Sequence, residues 1–341
     1  MSKKVLITGI TGQDGAILSQ KLIDLDYEVM GLFRRNTADN FWRLKELGLL
    51  EKIELVECEI NSYNDSLPKI LKNNNFNAIF HFAGSSFTGE SFNKPWQTFS
   101  LNTFAVYSIL EAMKTSSPET PIYIANSSEI FGQKLSDKTE MNSRSIFSPV
   151  NPYALSHLSN INASKYYRNV YNLRISNMIL FNHESRYRGN QFLTRKLSKG
   201  VAEISKGRNT AIELGNINML KDWGSAFEFA DAFILMMQKE ISVDMTIGTG
   251  KLTSIRDMIK VAFGHIDKQV KFVGDELNEI VLDEKTGKVL VSINPKYFRQ
   301  KETFPFVADL SEAKTNLNFI PKITALEVIP DMISYELKLL R

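Results

Sequence analysis

Three glycines spaced three residues apart, in Gly9-Ile10-Thr11-Gly12-Gln13-Asp14-Gly15, follow the apolar run Val5-Leu6-Ile7. Beyond them Ile17, Leu18, Lys21 and Leu22 recur at helical spacing. A strand, a glycine turn and a helix N-terminus in that order form a cradle for a dinucleotide pyrophosphate. Backbone N–H groups and the helix dipole face the phosphates, and glycine lets the chain approach them. Gly9, Thr11, Gly12, Gln13, Asp14 and Gly15 are therefore candidate cofactor contacts. The spacing is G-x-x-G-x-x-G rather than G-x-G-x-x-G, so the surrounding sequence must decide the reading.

The next strand pattern, Glu28 to Phe33, ends in Arg34-Arg35. An acidic residue at that place would bind a free ribose 2′-hydroxyl. Two guanidinium groups instead suit a 2′-phosphate, since they offer planar forks to its oxygens and stay charged at any working pH. NADP is favoured over NAD.

The elements that must hold these groups alternate. Ile53-Glu54-Leu55-Val56, Ala78 to Phe82 and Ile122 to Ala125 read as strands, with helical patterns through Leu67, Ile70 and Leu71 and from Trp96 to Met113. That alternation predicts an α/β fold with a doubly wound parallel Rossmann sheet. Its ligands belong beyond the carboxyl ends of the strands. Those ends supply Glu59, Ile60, Ala83, Gly84 and Ser85 as cofactor candidates, and Asn126-Ser127-Ser128-Glu129 as a further polar cluster. After Leu180 the pattern changes to helices, turns and short strands. Residues 1–180, completed by part of 225–250, are expected to form the cofactor domain, and 181–341 mostly a smaller mixed α/β substrate lobe. No Pro- or Ser-rich linker, repeat or low-complexity segment separates them.

Composition narrows the partners. The 341 residues are 43% hydrophobic, enough for a substantial core, and the net charge of +3 includes no long basic tract. No nucleic-acid or membrane partner is expected, and any anionic partner should be small. The single cysteine, Cys58, excludes an internal disulfide and fits a reducing compartment as a buried small hydrophobe. The sequence enters a strand without an apolar signal region, and its apolar runs are far short of a membrane span. Cytoplasmic localisation is expected. Four scattered histidines and one cysteine give no metal-ligand spacing, so no metal is expected.

Ser127-Ser128-Glu129, followed by Asn151-Pro152-Tyr153-Ala154-Leu155-Ser156-His157, resembles the extended short-chain dehydrogenase/reductases, and more narrowly the GDP-mannose 4,6-dehydratase family. The similarity continues through Ile179 to Ser185, Arg188-Gly189, Phe192 to Lys196, Lys221-Asp222-Trp223-Gly224 and Asn294 to Arg299. The resemblance implies an NADP-dependent GDP-sugar 4,6-dehydratase. It gives Tyr153 the task of taking the sugar 4-hydroxyl proton, with Ser127 on the same oxygen. Oxidation at C4 acidifies the C5 proton, and Glu129 is the candidate to act there and help expel the 6-hydroxyl as water. Hydride then returns to C6. By the same resemblance Ser85, Ser127, Asn182, Lys196, Lys221, Arg299 and Glu302 line the GDP-sugar site, and the chain assembles as a homodimer or homotetramer, with Arg35 to Trp42 near an interface and the cofactor.

Glu129 separates this reaction from that of related C4 oxidoreductases and epimerases, which need no carboxylate there. Two departures from the family pattern keep alternatives open. His157 replaces the lysine of the usual Tyr-x-x-x-Lys, on the same helix face as Tyr153. A lysine at that place binds the nicotinamide ribose and, as a fixed cation, lowers the tyrosine pKa from about 10. An imidazole with a pKa of about 6.5 is mostly neutral at neutral pH and activates less. The expectation is a catalytic, ribose-contacting His157 and a Tyr153 that works at higher pH. Ser85 to Phe92 also departs, with polar Thr88 and Glu90 in a segment the family keeps more apolar. These suggest different hexose substituents, so GDP-N-acetylhexosamine and GDP-manno-heptose compete with GDP-mannose. A C4 oxidoreductase or epimerase, or a non-catalytic nucleotide-sugar-binding protein, remains the alternative.

Overall fold

Residues 3–35, 40–61, 66–135, 137–208, 211–298 and 303–340 are described by a computed structural model. The first part runs β1 (Lys4–Thr8), α1 (Gln13–Ile23), β2 (Glu28–Phe33), α2 (Trp42–Glu46), β3 (Ile53–Glu57), α3 (Ser66–Asn73), β4 (Ala78–His81), α4 (Thr88–Ser91), α5 (Pro95–Ser116) and β5 (Ile122–Ser127). It continues with β6 (Glu140–Met141), α6 (Pro152–Tyr171), β7 (Ile175–Leu180), β8 (Asn182–Glu184), α7 (Leu193–Ser205), β9 (Ile212–Leu214), β10 (Leu220–Ser225), α8 (Ala226–Gln238) and β11 (Met245–Ile247). The last part holds β12 (Leu252–Ser254), α9 (Ile255–Gly264), β13 (Val270–Val273), β14 (Ile280–Asp283), β15 (Val289–Ile293), β16 (Val307–Ala308), α10 (Ser311–Leu317) and α11 (Ala325–Leu339).

Seven parallel strands form the main sheet in the order β3-β2-β1-β4-β5-β7-β11. Helices cover both faces, which is why β1 and β7 are buried along nearly their whole length and read as continuous apolar runs. The chain reverses its direction of winding between β1 and β4, and a cleft opens beyond the carboxyl ends of the strands there. β11 comes from the second half of the chain and completes the sheet beside β7. Its preceding helix, α8, packs on α1 through a shared core that includes Ile17, Phe229 and Phe233.

A second core gathers Leu197, Trp223, Ile259, Phe263, Val291 and Met332 from α7, β10, α9, β15 and α11. The sheet β13-β14-β15-β9 belongs to it, while the short sheet β12-β10-β8 lies between the two cores. Cys58 is buried just past β3. Among the described residues no helix is long and apolar enough to cross a membrane, and no three His, Cys, Asp or Glu side chains are grouped to hold a metal ion.

Candidate active site

The glycine turn sits against the end of β4. Gly9 has φ +72°, and a Cβ there would come within 2.7 Å of the Ala83 nitrogen and the Phe82 carbonyl carbon. A Cβ on Gly15 would meet the Gly9 carbonyl oxygen at 2.6 Å. Only glycine allows β1, α1 and β4 to approach this closely. The Gly12 N–H donates to the Gly9 carbonyl at 2.9 Å, closing the turn, and no side chain caps α1. Its first backbone N–H groups remain turned outward. Arg34 and Arg35 are exposed directly beyond β2, and Glu59 and Ile60 follow β3, with the Glu59 carboxylate accepting the Asn61 N–H at 3.2 Å.

Gln13 and Asp14 are committed elsewhere. Gln13 donates to the His183 carbonyl at 3.1 Å and accepts from the Ser185 hydroxyl at 2.8 Å. Asp14 meets His183 Nε2 at 3.0 Å, while His183 Nδ1 lies 2.8 Å from the Phe181 carbonyl. Both ring nitrogens face acceptors. Burial alone would push the imidazole down and the carboxyl up, but each is carried the other way by its partner: His183 is raised and Asp14 lowered. These two side chains join the nucleotide turn to β8.

A cleft of about 1080 Å³ opens between the cores. That is more than one small ligand fills. Asp14, Ala83, Gly84, Ser85, Thr88, Glu90, Ser127, Glu129, Tyr153, His157, Asn182, Lys196 and Lys221 all line it. Arg299 and Glu302 lie outside the described residues, as does part of the Arg35 to Trp42 segment.

Tyr153 enters the cleft from the first turn of α6. Asn151 caps that helix by accepting the Ala154 N–H at 2.7 Å, and Pro152 fits the first helical position because its missing N–H has no partner to lose there. The Tyr153 phenol lies beside the Ser127 side chain. Burial pushes it up to about 12 against the opposing pull of Ser127.

On one flank of Tyr153, Glu129 is held in a 3₁₀ turn, Ser128–Phe131, whose start is capped as Ser127 Oγ accepts the Glu129 N–H at 3.2 Å. Its carboxylate accepts from Lys221 Nζ at 2.6 Å through one oxygen and from Asn151 Nδ2 at 3.2 Å through the other. Lys221, expected on the substrate, therefore rests on Glu129. Lys196 stacks 3.6 Å over the Tyr297 ring, and Arg188 3.6 Å over Phe192. Glu90 is paired with Lys94 at 2.7 Å near the surface.

On the other flank stands His157, its ring edge-on to that of Tyr153 at 4.5 Å. Burial, with the neighbouring His81, pushes its imidazole down to about 3. The residual cationic fraction considered from the sequence is thus absent at working pH. His81 is itself pushed down to about 4 by burial.

The sequence matches the family described as GDP-mannose 4,6 dehydratase over residues 6–332. The chain belongs to this family. It is an enzyme of the nucleotide-sugar 4,6-dehydratase class. The GDP-mannose 4,6 dehydratase of Drosophila melanogaster is 36% identical, covering 99% of this chain and 87% of that protein; the Homo sapiens enzyme is 32% identical over 98% and 92%. Among solved structures, dTDP-glucose 4,6-dehydratase from Bacillus anthracis with NAD superposes with TM-score 0.80 at 15% identity over 99% of this chain and 97% of that one. UDP-glucose 4-epimerase from Thermotoga maritima gives 0.81 at 17% over 99% and 100%. These two establish the Rossmann-type fold.

Within a dehydratase of this family, several residues near the site escaped sequence reasoning. Arg43, half-buried and lowered to about 10 by desolvation, donates to the Thr11 carbonyl at 2.9 Å in the glycine turn and to the Tyr187 carbonyl at 2.6 Å. Asn151 serves both α6 and Glu129. His81 stands near His157, and Asn126, read from the sequence only as part of a polar strand end, bonds to it. The available signal was a polar residue in an otherwise apolar central strand, Ala-Asn after Ile122-Tyr123-Ile124 and His after Ala78-Ile79-Phe80.

Proposed function

We propose that the protein is an NADP-dependent GDP-sugar 4,6-dehydratase. Residues 1–180 with part of 225–250 would serve the cofactor, and 181–341 mostly the GDP-sugar. The observation that carries the reading is the placement of Glu129 in one cleft with Ser127 and Tyr153, held by Lys221 and Asn151 and thus fixed in direction. A carboxylate is what this chemistry needs beyond C4 oxidation.

The chain suits a nicotinamide dinucleotide. The turn packs so tightly that a Cβ on Gly9 or Gly15 would strike backbone, and the start of α1, which no side chain caps, would offer its backbone N–H groups to a pyrophosphate. Arg34 and Arg35 would meet a 2′-phosphate, and Ala83, Gly84, Ser85, Tyr153 and His157 the nicotinamide end. The cofactor, when bound, supplies the place to which hydride goes from C4 and from which it returns to C6.

The protein's own groups handle the protons. Tyr153 takes the proton of the 4-hydroxyl, with Ser127 hydrogen-bonded to the same oxygen. The resulting 4-ketone acidifies C5–H; Glu129 takes that proton and delivers it to the 6-hydroxyl, which leaves as water while C5=C6 forms. After hydride reaches C6, a proton returns to C5, giving the 4-keto-6-deoxy sugar. Asn182, Lys196, Lys221, Arg299 and Glu302 are assigned to the GDP-sugar, and Thr88 and Glu90 to its hexose substituents.

Incubation with GDP-mannose, a GDP-N-acetylhexosamine and GDP-manno-heptose, with loss of water followed by mass spectrometry, tests the reading. One of these should lose water; turnover of none, or C4 inversion without dehydration, would overturn it. We further assign a cytoplasmic homodimer or homotetramer. Trp96 (73% exposed), Phe104, Tyr107, Leu155 and Tyr166 leave an apolar face on the adjacent helices α5 and α6, which supports self-association. Light scattering in solution should give twice or four times the 38.8 kDa chain mass.

A further inference from the structure

A row of polar side chains, buried at Asn126 and Asn177 and half-buried at its ends, crosses the main sheet behind Tyr153, from Arg168 in α6 to His157. Its first fixed point is Asp244, which accepts from the Arg168 guanidinium and from the Asn177 backbone N–H at 3.0 Å. A carboxylate in that pairing only accepts. The Asn177 side-chain group 2.9 Å from Asp244 Oδ1 must therefore be its NH₂, which leaves Asn177 Oδ1 pointing away. That oxygen lies 2.8 Å from Asn126, whose nearest group must then be its own NH₂. Asn126 Oδ1 is left facing His157 Nδ1 at 3.1 Å. An amide oxygen cannot donate, so Nδ1 carries the proton. In a neutral ring the Nε2 atom then holds a bare lone pair. Nε2 is closed off from solvent and has no partner among the described residues. The ring itself lines the cleft.

We propose that Asn126 and Asn177 are positioning residues that fix His157 in its Nδ1–H tautomer, so that Nε2 accepts a hydrogen bond from a hydroxyl of the cofactor's nicotinamide ribose. The inference rests on the dinucleotide-binding reading above. It reverses the polarity of the contact. An ammonium at this place can only donate to the ribose, whereas His157 requires the ribose to donate. A buried acceptor without a donor costs free energy, so the site discriminates against a cofactor lacking that hydroxyl. The low pKa of the buried imidazole is in keeping with an acceptor that stays neutral.

Two measurements test this. Two-bond ¹H–¹⁵N spectra of protein labelled in its four histidines distinguish the tautomers, with the His157 signal assigned by its loss in His157→Gln. At neutral pH His157 should show Nδ1–H and a bare Nε2, with or without NADP⁺. Asn126→Ala should abolish that signature while the other three histidines keep theirs, which separates repositioning from unfolding. Asn126→Asp retains an acceptor and should keep Nδ1–H. An Nε2–H ring or an imidazolium in the unmodified protein would overturn the proposal. In the second measurement, an NADP⁺ analogue with hydrogen in place of the nicotinamide-ribose hydroxyls should bind about five- to tenfold more weakly than NADP⁺. His157→Ala should erase that difference; an equal loss in both proteins would overturn the contact. The expected spectra and analogue effect, found in a protein that dehydrates none of the GDP-sugars, would reject the dehydratase reading and leave this assignment standing.

Discussion

Tyr153 stands between two unlike environments. On the Glu129 flank the groups are ionic: a carboxylate, the Lys221 ammonium at 2.6 Å, and an amide that orients both helix and carboxylate. On the His157 flank they are neutral: two histidines pushed down to about 3 and 4, and a file of asparagines whose nearest charges, Asp244 and Arg168, lie at its far end. In the proposed mechanism a proton leaves carbon on the first flank, where the ion pair with Lys221 would hold Glu129 ready as the base. The second flank orients without supplying charge. Under the proposed mechanism the ion pair stands where a weakly acidic C–H has to be broken, while the His157 flank turns neutral rings toward Tyr153.

The comparison breaks most sharply if Glu129 is neutralised. Glu129→Gln keeps the shape and should lower dehydration about 10²- to 10⁴-fold while C4 oxidation persists. Mass spectrometry of water loss, with solvent deuterium incorporation at C5, checks it; an unchanged rate would remove Glu129 from its role. On the cofactor side the charges expected to read the 2′-phosphate are Arg34 and Arg35. Their joint replacement by alanine should weaken NADP⁺ binding by about ten- to a hundredfold for each guanidinium before coupling, leaving NAD⁺ affinity little changed. Calorimetry with both dinucleotides measures this, and equal affinities in the unmodified protein would end the NADP assignment.

A smaller effect should follow from adding charge to the neutral flank. With Tyr153 near 12, kcat/KM should climb with pH throughout the accessible alkaline range, because the phenolate fraction grows. His157→Lys would place a cation beside the phenol, favour the phenolate and move that rising limb to lower pH by about one unit. An unmoved limb in the folded variant would mean that position 157 exerts no field on Tyr153.

The alternation of strands and helices and the glycine turn were legible because they rest on local periodicity and on a rule about strand ends, whereas the grouping of Ser127, Glu129 and Tyr153 was legible only through the family resemblance. What could not be read was which side chains face each other across the chain. Lys221 and Glu129 are 92 residues apart, and Asp14 and His183 169 apart. Gln13 and Asp14 sit at the right spacing for phosphate contact, yet their side chains turn to β8, because the helix start offers backbone N–H groups and leaves the side chains for the other core. The neutrality of His157 was likewise hidden. A reference pKa describes an imidazole in water, while its state here is set by the depth of the sheet behind it.

The smallest effect concerns the Asp14–His183 pair. His183, raised above 6.5, contributes stability that is full below that value and lost as pH rises through its folded pKa. Asp14, lowered from 3.8, contributes stability that is full above that value and lost as pH falls through its folded pKa. Asp14→Asn should therefore lower the melting temperature by a few degrees between about pH 4 and 6.5 and flatten its dependence on both sides. Identical melting profiles would show that the pair is energetically idle.

That same junction governs how the molecule can move. The start of α1 is bolted to the far wall by the bonds of Gln13 to His183 and Ser185, by Asp14 to His183, and by Arg43, which spans Thr11 and Tyr187. Moving the segment from His183 to Tyr187 away from the start of α1 would have to break all of them together. A dinucleotide held at a turn so anchored would keep its seat while the sugar nucleotide comes and goes, and remain in place through many turnovers.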